Sequence, residues 1–159
     1  MPQKFEKEST TKLNYIIQPA TWHDLNELRT LEQICFPIDR WPLLDLIAVL
    51  SFRNVTRLKA TYKNKMIGFI AADIKKRGTA SWIATLAVLP DYRRQGVATA
   101  LLKRCEATLE NPRIRLCVRQ TNIPAIKLYT QNGYIRVDKW SRYYIDGEDA
   151  IVLEKNRAE

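Results

Sequence analysis

The apolar positions of this chain follow two periods, and the change from one to the other predicts its elements. Residues 1 to 12 are polar and mixed in charge and read as a tail, and Leu13-Asn14-Tyr15-Ile16-Ile17 reads as a first strand. Leu25, Leu28, Leu31 and Cys35, with Glu32 among them, then fall at helical spacing. Thr21 precedes that helix as a cap, and Phe36-Pro37 stops it. Leu43 to Phe52, entered through Pro42, predicts a second helix. At Val55 the pattern changes. Val55 to Tyr62, Met66 to Lys75 and Thr79 to Val88 are rich in β-branched and aromatic residues and predict three antiparallel strands. Lys63-Asn64-Lys65 and Lys76-Arg77-Gly78 separate them as tight turns.

A basic loop, Pro90 to Gly96, leads into the most regular helix, Val97 to Leu109. There Val97, Leu101, Leu102, Cys105 and Leu109 share one face. Ile114 to Val118 predicts a short strand. Asn122 to Asn132 predicts a helix with Asn122 as its cap, Pro124 in its first turn and Gly133 past its end. Tyr134 to Tyr144 and Ala150 to Leu153 predict closing strands around an Asp146-Gly147 turn. The order is strand, two helices, three strands, helix, strand, helix, two strands. It predicts a mixed α/β (α+β) sheet in a single domain over residues 13–155, not a repeating βαβ array.

Composition narrows the function. With 159 residues, 46% of them hydrophobic, the chain can bury one real core but not two. No 18-residue apolar run predicts a membrane span, and the polar start lacks an apolar signal core, so a cytoplasmic protein is expected. Three cysteines without CxxC pairing argue against a disulfide framework and a structural zinc site. The single histidine, His23, rules out a multi-histidine centre, and no metal is expected. The excess of 26 Lys+Arg over 17 Asp+Glu favours anionic partners such as phosphates, acidic cofactors or an RNA-rich particle. A solvated basic surface explains the charge as well, and Lys75-Lys76-Arg77 fits a solvated turn better than a ribosome dock.

The strongest chemical signal is Arg93-Arg94-Gln95-Gly96-Val97-Ala98 between a strand and a helix. A helix start offers unpaired N–H groups and the positive end of a dipole, where a pyrophosphate fits if nothing blocks it. Gly96 removes a Cβ that would stand in the way, Ala98 is the next smallest choice, and Arg93 and Arg94 add charge. An ordinary basic strand-to-helix turn would read the same way.

The run from Leu86 to Leu102 resembles the acetyl-CoA motif of the GNAT acetyltransferase superfamily, (Arg/Gln)-x-x-Gly-x-(Gly/Ala) after a β-bulged strand. A second block, Thr121 to Tyr129 ending at Asn132-Gly133-Tyr134, resembles that family's Asn-x-x-Ala-x-x-x-Tyr…Gly-(Phe/Tyr). Within the superfamily the chain is most similar to ribosomal-protein-alanine N-acetyltransferases (RimI-like) and related protein N-terminal acetyltransferases. Glu32, Cys35-Phe36-Pro37 and Trp41-Pro42 carry that likeness, with Arg142-Tyr143-Tyr144 and Gly147-Glu148-Asp149-Ala150-Ile151.

The resemblance implies an acetyl-CoA-dependent N-acetyltransferase of the GNAT fold. Main-chain groups of Leu86, Ala87 and Val88 would pair with the pantetheine arm of acetyl-CoA, and amides from Arg94 to Thr99 would hold its pyrophosphate. Cofactor contacts would come from Arg93, Arg94, Gln95, Gly96, Val97, Ala98, Thr99, Asn122 and Tyr129. Leu86 and Val88 fit a core strand equally, and Asn122 a helix cap. Tyr129 would act as the general acid toward the leaving thiolate, since a phenol with pKa near 10 keeps its proton at neutral pH. Phe36, Trp82, Tyr143 and Tyr144 would line the acceptor groove, although one of the two tyrosines is expected to belong to strand alternation. The implied partner is a protein N-terminus or another amine, in the ribosome's proximity, with no direct nucleic-acid function and no membrane.

The chain departs from the family at the base. RimI-like enzymes carry a glutamate, and some relatives a histidine, where this chain has Cys117, and the alternative place on the preceding strand reads Trp82-Ile83-Ala84-Thr85. Cys117 fills the slot of the base, though a cysteine is more often a small buried hydrophobe. Proton removal through water to the backbone, or to a distant carboxylate such as Glu32 or Glu148, is the alternative. The acceptor could also be a lysine side chain, a polyamine or an antibiotic. The missing base equally suits a degenerate domain that binds coenzyme A without transfer, or an RNA-associated adaptor.

Overall fold

A computed structural model describes residues 12–74 and 79–157. The elements run β1 (Ile16–Pro19), α1 (Leu25–Cys35), α2 (Leu43–Ser51), β2 (Val55–Tyr62), β3 (Lys65–Asp73), β4 (Ser81–Val88), α3 (Val97–Glu106), β5 (Arg113–Arg119), α4 (Ile123–Gln131), β6 (Ile135–Trp140) and β7 (Ala150–Asn156). The predicted order holds. The tail to residue 11, the Lys76-Arg77-Gly78 turn and the Lys75-Lys76-Arg77 cluster lie outside the described residues.

The strands form one sheet in the order β1-β2-β3-β4-β5-β7-β6, antiparallel throughout except for the parallel pair β4–β5. The apolar run Met66 to Ala72 on β3 is buried on both faces, which is why it reads as continuous rather than alternating. Phe69 and Ala71 face Leu28 and Leu31 of α1 and Leu46 and Leu50 of α2. Ile67, Ile70 and Ala72 face Leu101, Leu102 and Cys105 of α3. The sheet is thus sandwiched, and removing two layers of aliphatic side chains from water drives its assembly.

Four boundaries shift for physical reasons. β1 begins at Ile16, not Leu13, because Ile16 already pairs with Thr61 near the end of β2, and residues 13 and 14 run past it. Lys63 and Asn64 both take left-handed backbone (φ 47° and 60°), the two-residue hairpin turn that matches strand twist. α3 stops at Glu106, where the hydroxyl of Thr108 donates to the Cys105 carbonyl (2.7 Å) and competes with the helix. β6 stops at Trp140 rather than reaching Tyr144. The segment beyond it folds on itself: Arg142 turns left-handed (φ 51°) and its N–H donates to the Asp149 carboxylate (2.8 Å). Tyr143 and Tyr144 therefore lie on a loop, and strand alternation governs neither.

Candidate active site

β4 and β5 pair only at Ser81 with Ile114 and Trp82 with Arg115. Beyond that point the strands separate, and the main chain of β4 from Ile83 to Val88 has β3 on one side and an open edge on the other. The separation starts at a bulge. Ala71 and Ala72 of β3 face Thr85 and Ile83, so Ala84 is an extra residue in β4. Leu86, Ala87 and Val88 line this open edge, which can receive an extended ligand as an added strand.

The open edge leads to the start of α3. Arg94 and Gly96 both have left-handed backbone (φ 59° and 83°), which turns the chain sharply into the helix. The first helical bond is donated by Ala100 to the Gly96 carbonyl (3.0 Å). The N–H groups of Val97, Ala98 and Thr99 precede it, and a helix gives such amides no internal partner. They form a cradle for an anion.

One detail adds to the expectation and one differs from it. A Cβ built on Gly96 meets nothing within 4 Å, so glycine is required by its backbone angle and not by crowding within the protein. Arg93 does not surround the cradle with charge. Its Nε donates to the Val88 carbonyl (2.8 Å), and it fastens the loop to the end of β4. Gln95 likewise reaches back to the Asp91 carbonyl (3.2 Å).

The second motif brings up α4. Asn122 caps it, its Oδ1 accepting from the Ala125 N–H (3.3 Å). Tyr129 is buried, its ring edge-on to Tyr134 at 5.6 Å. Burial, with Tyr144 nearby, holds its phenol well above the usual tyrosine range, so it stays protonated across the physiological range. Gly133 (φ 91°) ends the helix, and the buried Tyr134 hydroxyl donates to Glu106 (2.8 Å), which makes the last residues of that motif structural.

An aromatic wall runs from β4 to the loop after β6. Trp82 stacks on Trp140 (5.8 Å between centroids), Trp140 meets Tyr143 (5.3 Å), and Tyr143 meets Tyr144 edge-on (5.1 Å). Three of these rings belong to the predicted groove. Phe36 instead packs against the core beneath α1 and α2. Trp140 was not expected; the end of a strand after a charged run gave no sign of it.

Arg119, also missed, ties this wall together. Its guanidinium forms a bidentate pair with Asp39 (2.6 and 2.7 Å) from the segment between α1 and α2. It also reaches Asp146 (2.9 Å) and Glu148 (3.0 Å) from the loop after β6, and lies 4.3 Å over the Tyr144 ring. Glu148 accepts from the Thr121 N–H and hydroxyl (3.1 and 2.8 Å), which binds the loop to the start of α4. A planar fork suits such pairing where lysine would not.

The base slot is silent. Burial pushes the Cys117 thiol up to about 11, so it holds its proton at neutral pH and cannot accept another. Glu148 and Asp146 are held below the usual carboxylate range by hydrogen bonds, from Thr121 and Arg119 respectively. Their protonated forms are disfavoured, which makes them poor proton acceptors.

Among the described residues no helix is long and apolar enough to cross a membrane. The sequence profile of the acetyltransferase (GNAT) family matches residues 22–134. The catalytic subunit of the N-terminal acetyltransferase A complex from Arabidopsis thaliana is 31% identical over 147 residues, covering 88% of this chain and 77% of that protein. An N-alpha-acetyltransferase from Saccharolobus solfataricus is 26% identical over 89% of this chain and 93% of its own length. A ribosomal-protein alanine N-acetyltransferase from Escherichia coli has the same fold, with a TM-score of 0.80 at 24% identity over 92% of this chain and 96% of that one. The chain belongs to the acetyltransferase (GNAT) family.

Proposed function

We propose that this enzyme transfers the acetyl group of acetyl-CoA to the N-terminal α-amine of a protein. Acetyl-CoA is the co-substrate. The observation that carries the reading is the β4–β5 separation running into the Gly96 turn, together with the buried Tyr129 and the aromatic wall. Leu86, Ala87 and Val88 pair with the pantetheine arm, and the amides from Arg94 to Thr99 hold the pyrophosphate. An N–H of β4 polarises the thioester carbonyl, and Tyr129 returns a proton to the departing sulfur. Trp82, Trp140, Tyr143 and Tyr144 line the groove for the acceptor chain, and Arg119 sets its shape.

The α-amine is favoured over lysine by protonation. An α-amine of pKa about 7.7–8.0 is roughly a tenth or more neutral at pH 7, whereas a lysine of about 10.4 is neutral in only about 0.04%. A site without a base in either usual place can use the first far more readily than the second. The names of the relatives point the same way, and the net charge of +9 suits an acceptor presented beside RNA, such as a ribosomal protein.

Labelled acetyl-CoA with a panel of peptides and small amines tests this, with mass mapping of the product. Label is expected on the α-amine and not on a blocked peptide carrying a free lysine. Transfer confined to lysine or a polyamine would refute the acceptor, and binding of acetyl-CoA with no product on any amine would refute the reaction.

A further inference from the structure

Glu32 is an unusual residue for a helix face that packs on a sheet. It is 1% exposed, and its Oε1 accepts from the Thr85 hydroxyl (3.1 Å). Its Oε2 is buried with no partner. Nothing in the packing calls for a carboxylate here, since Leu28 and Leu31 on the same helix bury without one and an unpartnered buried oxygen costs stability. Thr85 is the residue after the bulge at Ala84, on the stretch of β4 that β5 has left. It stands one position before the main-chain groups proposed to hold the pantetheine arm, at the end of that tract away from the turn at Gly96. Glu32 also lines a cavity of about 210 Å³ with Arg29, Gln33, Arg40, Trp41 and Leu46, which is room for several waters.

We propose that Thr85 and Glu32 form the proton relay that replaces the missing base: Thr85 takes a proton from the acceptor ammonium as its own hydroxyl proton passes to Glu32. The freed lone pair then forms the C–N bond, and the C–S bond breaks. The second nitrogen proton ends on the sulfur by way of Tyr129, and Glu32 releases the first to water in the cavity. Burial pushes the Glu32 carboxyl up to about 7 against the pull of the Thr85 hydrogen bond, which suits a group that must both take and release a proton near neutrality. The charged or titratable groups facing it are Arg29 and Cys35 of its own helix and Arg40 across the cavity, with Arg93 beside Cys35. Burial raises the Cys35 thiol, which keeps it from competing as a proton acceptor.

The relay rests on the N-terminal acetylation reading. It is tested by kcat at saturating acetyl-CoA and peptide from pH 6 to 9.5, for the wild type, Glu32→Gln, Thr85→Val and Thr85→Ser. The wild type is expected to rise through one ionisation near neutrality and level off. Glu32→Gln and Thr85→Val should be slower by about 30- to 100-fold at pH 7 and lack that ionisation, with the deficit shrinking as pH rises. Thr85→Ser should recover most of what Thr85→Val loses. Unchanged acetyl-CoA affinity by calorimetry shows that the cradle survives each change. A Glu32→Gln enzyme within threefold of wild type, or slow at every pH with the ionisation intact, overturns the relay while leaving the acetylation reading standing. A wild-type protein that acetylates no peptide overturns both.

Discussion

The two sides of the cleft are built from different materials. The side proposed for acetyl-CoA is main chain: an unpaired strand edge, a left-handed glycine and the first amides of a helix, all contributed by residues 83 to 99. The side proposed for the acceptor is side chain. Its aromatic wall takes Trp82 from β4 and Trp140, Tyr143 and Tyr144 from the end of β6 and the loop beyond. Arg119 on β5 holds Asp39 from one distant segment and Asp146 and Glu148 from another. A site made of backbone tolerates most sequences that preserve the turn. A site made of four separate segments can change its acceptor by altering one of them while the acetyl donor stays the same.

The comparison is sharpened first by stability. The Glu32 carboxyl is raised from 4.5 to about 7 by burial, so the fold binds its proton more tightly than the unfolded chain does. Its contribution is fully present below about pH 4.5 and is lost as pH rises to about 7. At about 1.4 kcal/mol per pH unit, the charged form costs on the order of 3 kcal/mol above neutrality. Glu32→Gln should therefore be more stable than wild type by up to about 3 kcal/mol in urea unfolding at pH 8, and no different at pH 4. The acceptor side would then carry a stability cost that the backbone-built side does not.

Tyr129→Phe is expected to lower kcat about a hundredfold with acetyl-CoA affinity kept, as steady-state rates and calorimetry would show. Full turnover would remove the phenol from the chemistry. Arg119→Ala should raise the peptide KM about tenfold with the acetyl-CoA Kd unchanged, because it leaves Asp39, Asp146 and Glu148 as like charges without their common partner. A loss of acetyl-CoA binding instead would mean that the two sides are not separable. Gly96→Ala should cost about 1 kcal/mol through its left-handed backbone, read by thermal unfolding, and weaken acetyl-CoA more than peptide binding.

How far the sequence could be read follows the same division. The turn into α3 was legible because it is local: Gly96, the small Ala98 and the helix behind them stand next to one another in the chain. Asn122 and Gly133 were legible as the two ends of α4 for the same reason. Tyr143 and Tyr144 read as strand in the sequence because β6 runs on in propensity. Its end is set by Asp149, which seizes the Arg142 amide seven residues earlier in the chain. Arg93 was placed around the pyrophosphate because charge alone does not say which way a long side chain turns.

By itself the sequence determined the order of elements, the sheet-and-helix layering and the glycine turn into α3, since each follows from periodicity or from a backbone angle that few residues accept. The tertiary structure alone decided where β4 and β5 part, which loops Arg119 joins, and that a glutamate on α1 lies against a threonine on β4. Those are contacts between residues 27 to 80 positions apart, and only the closing of the sheet brings such residues within reach of one another.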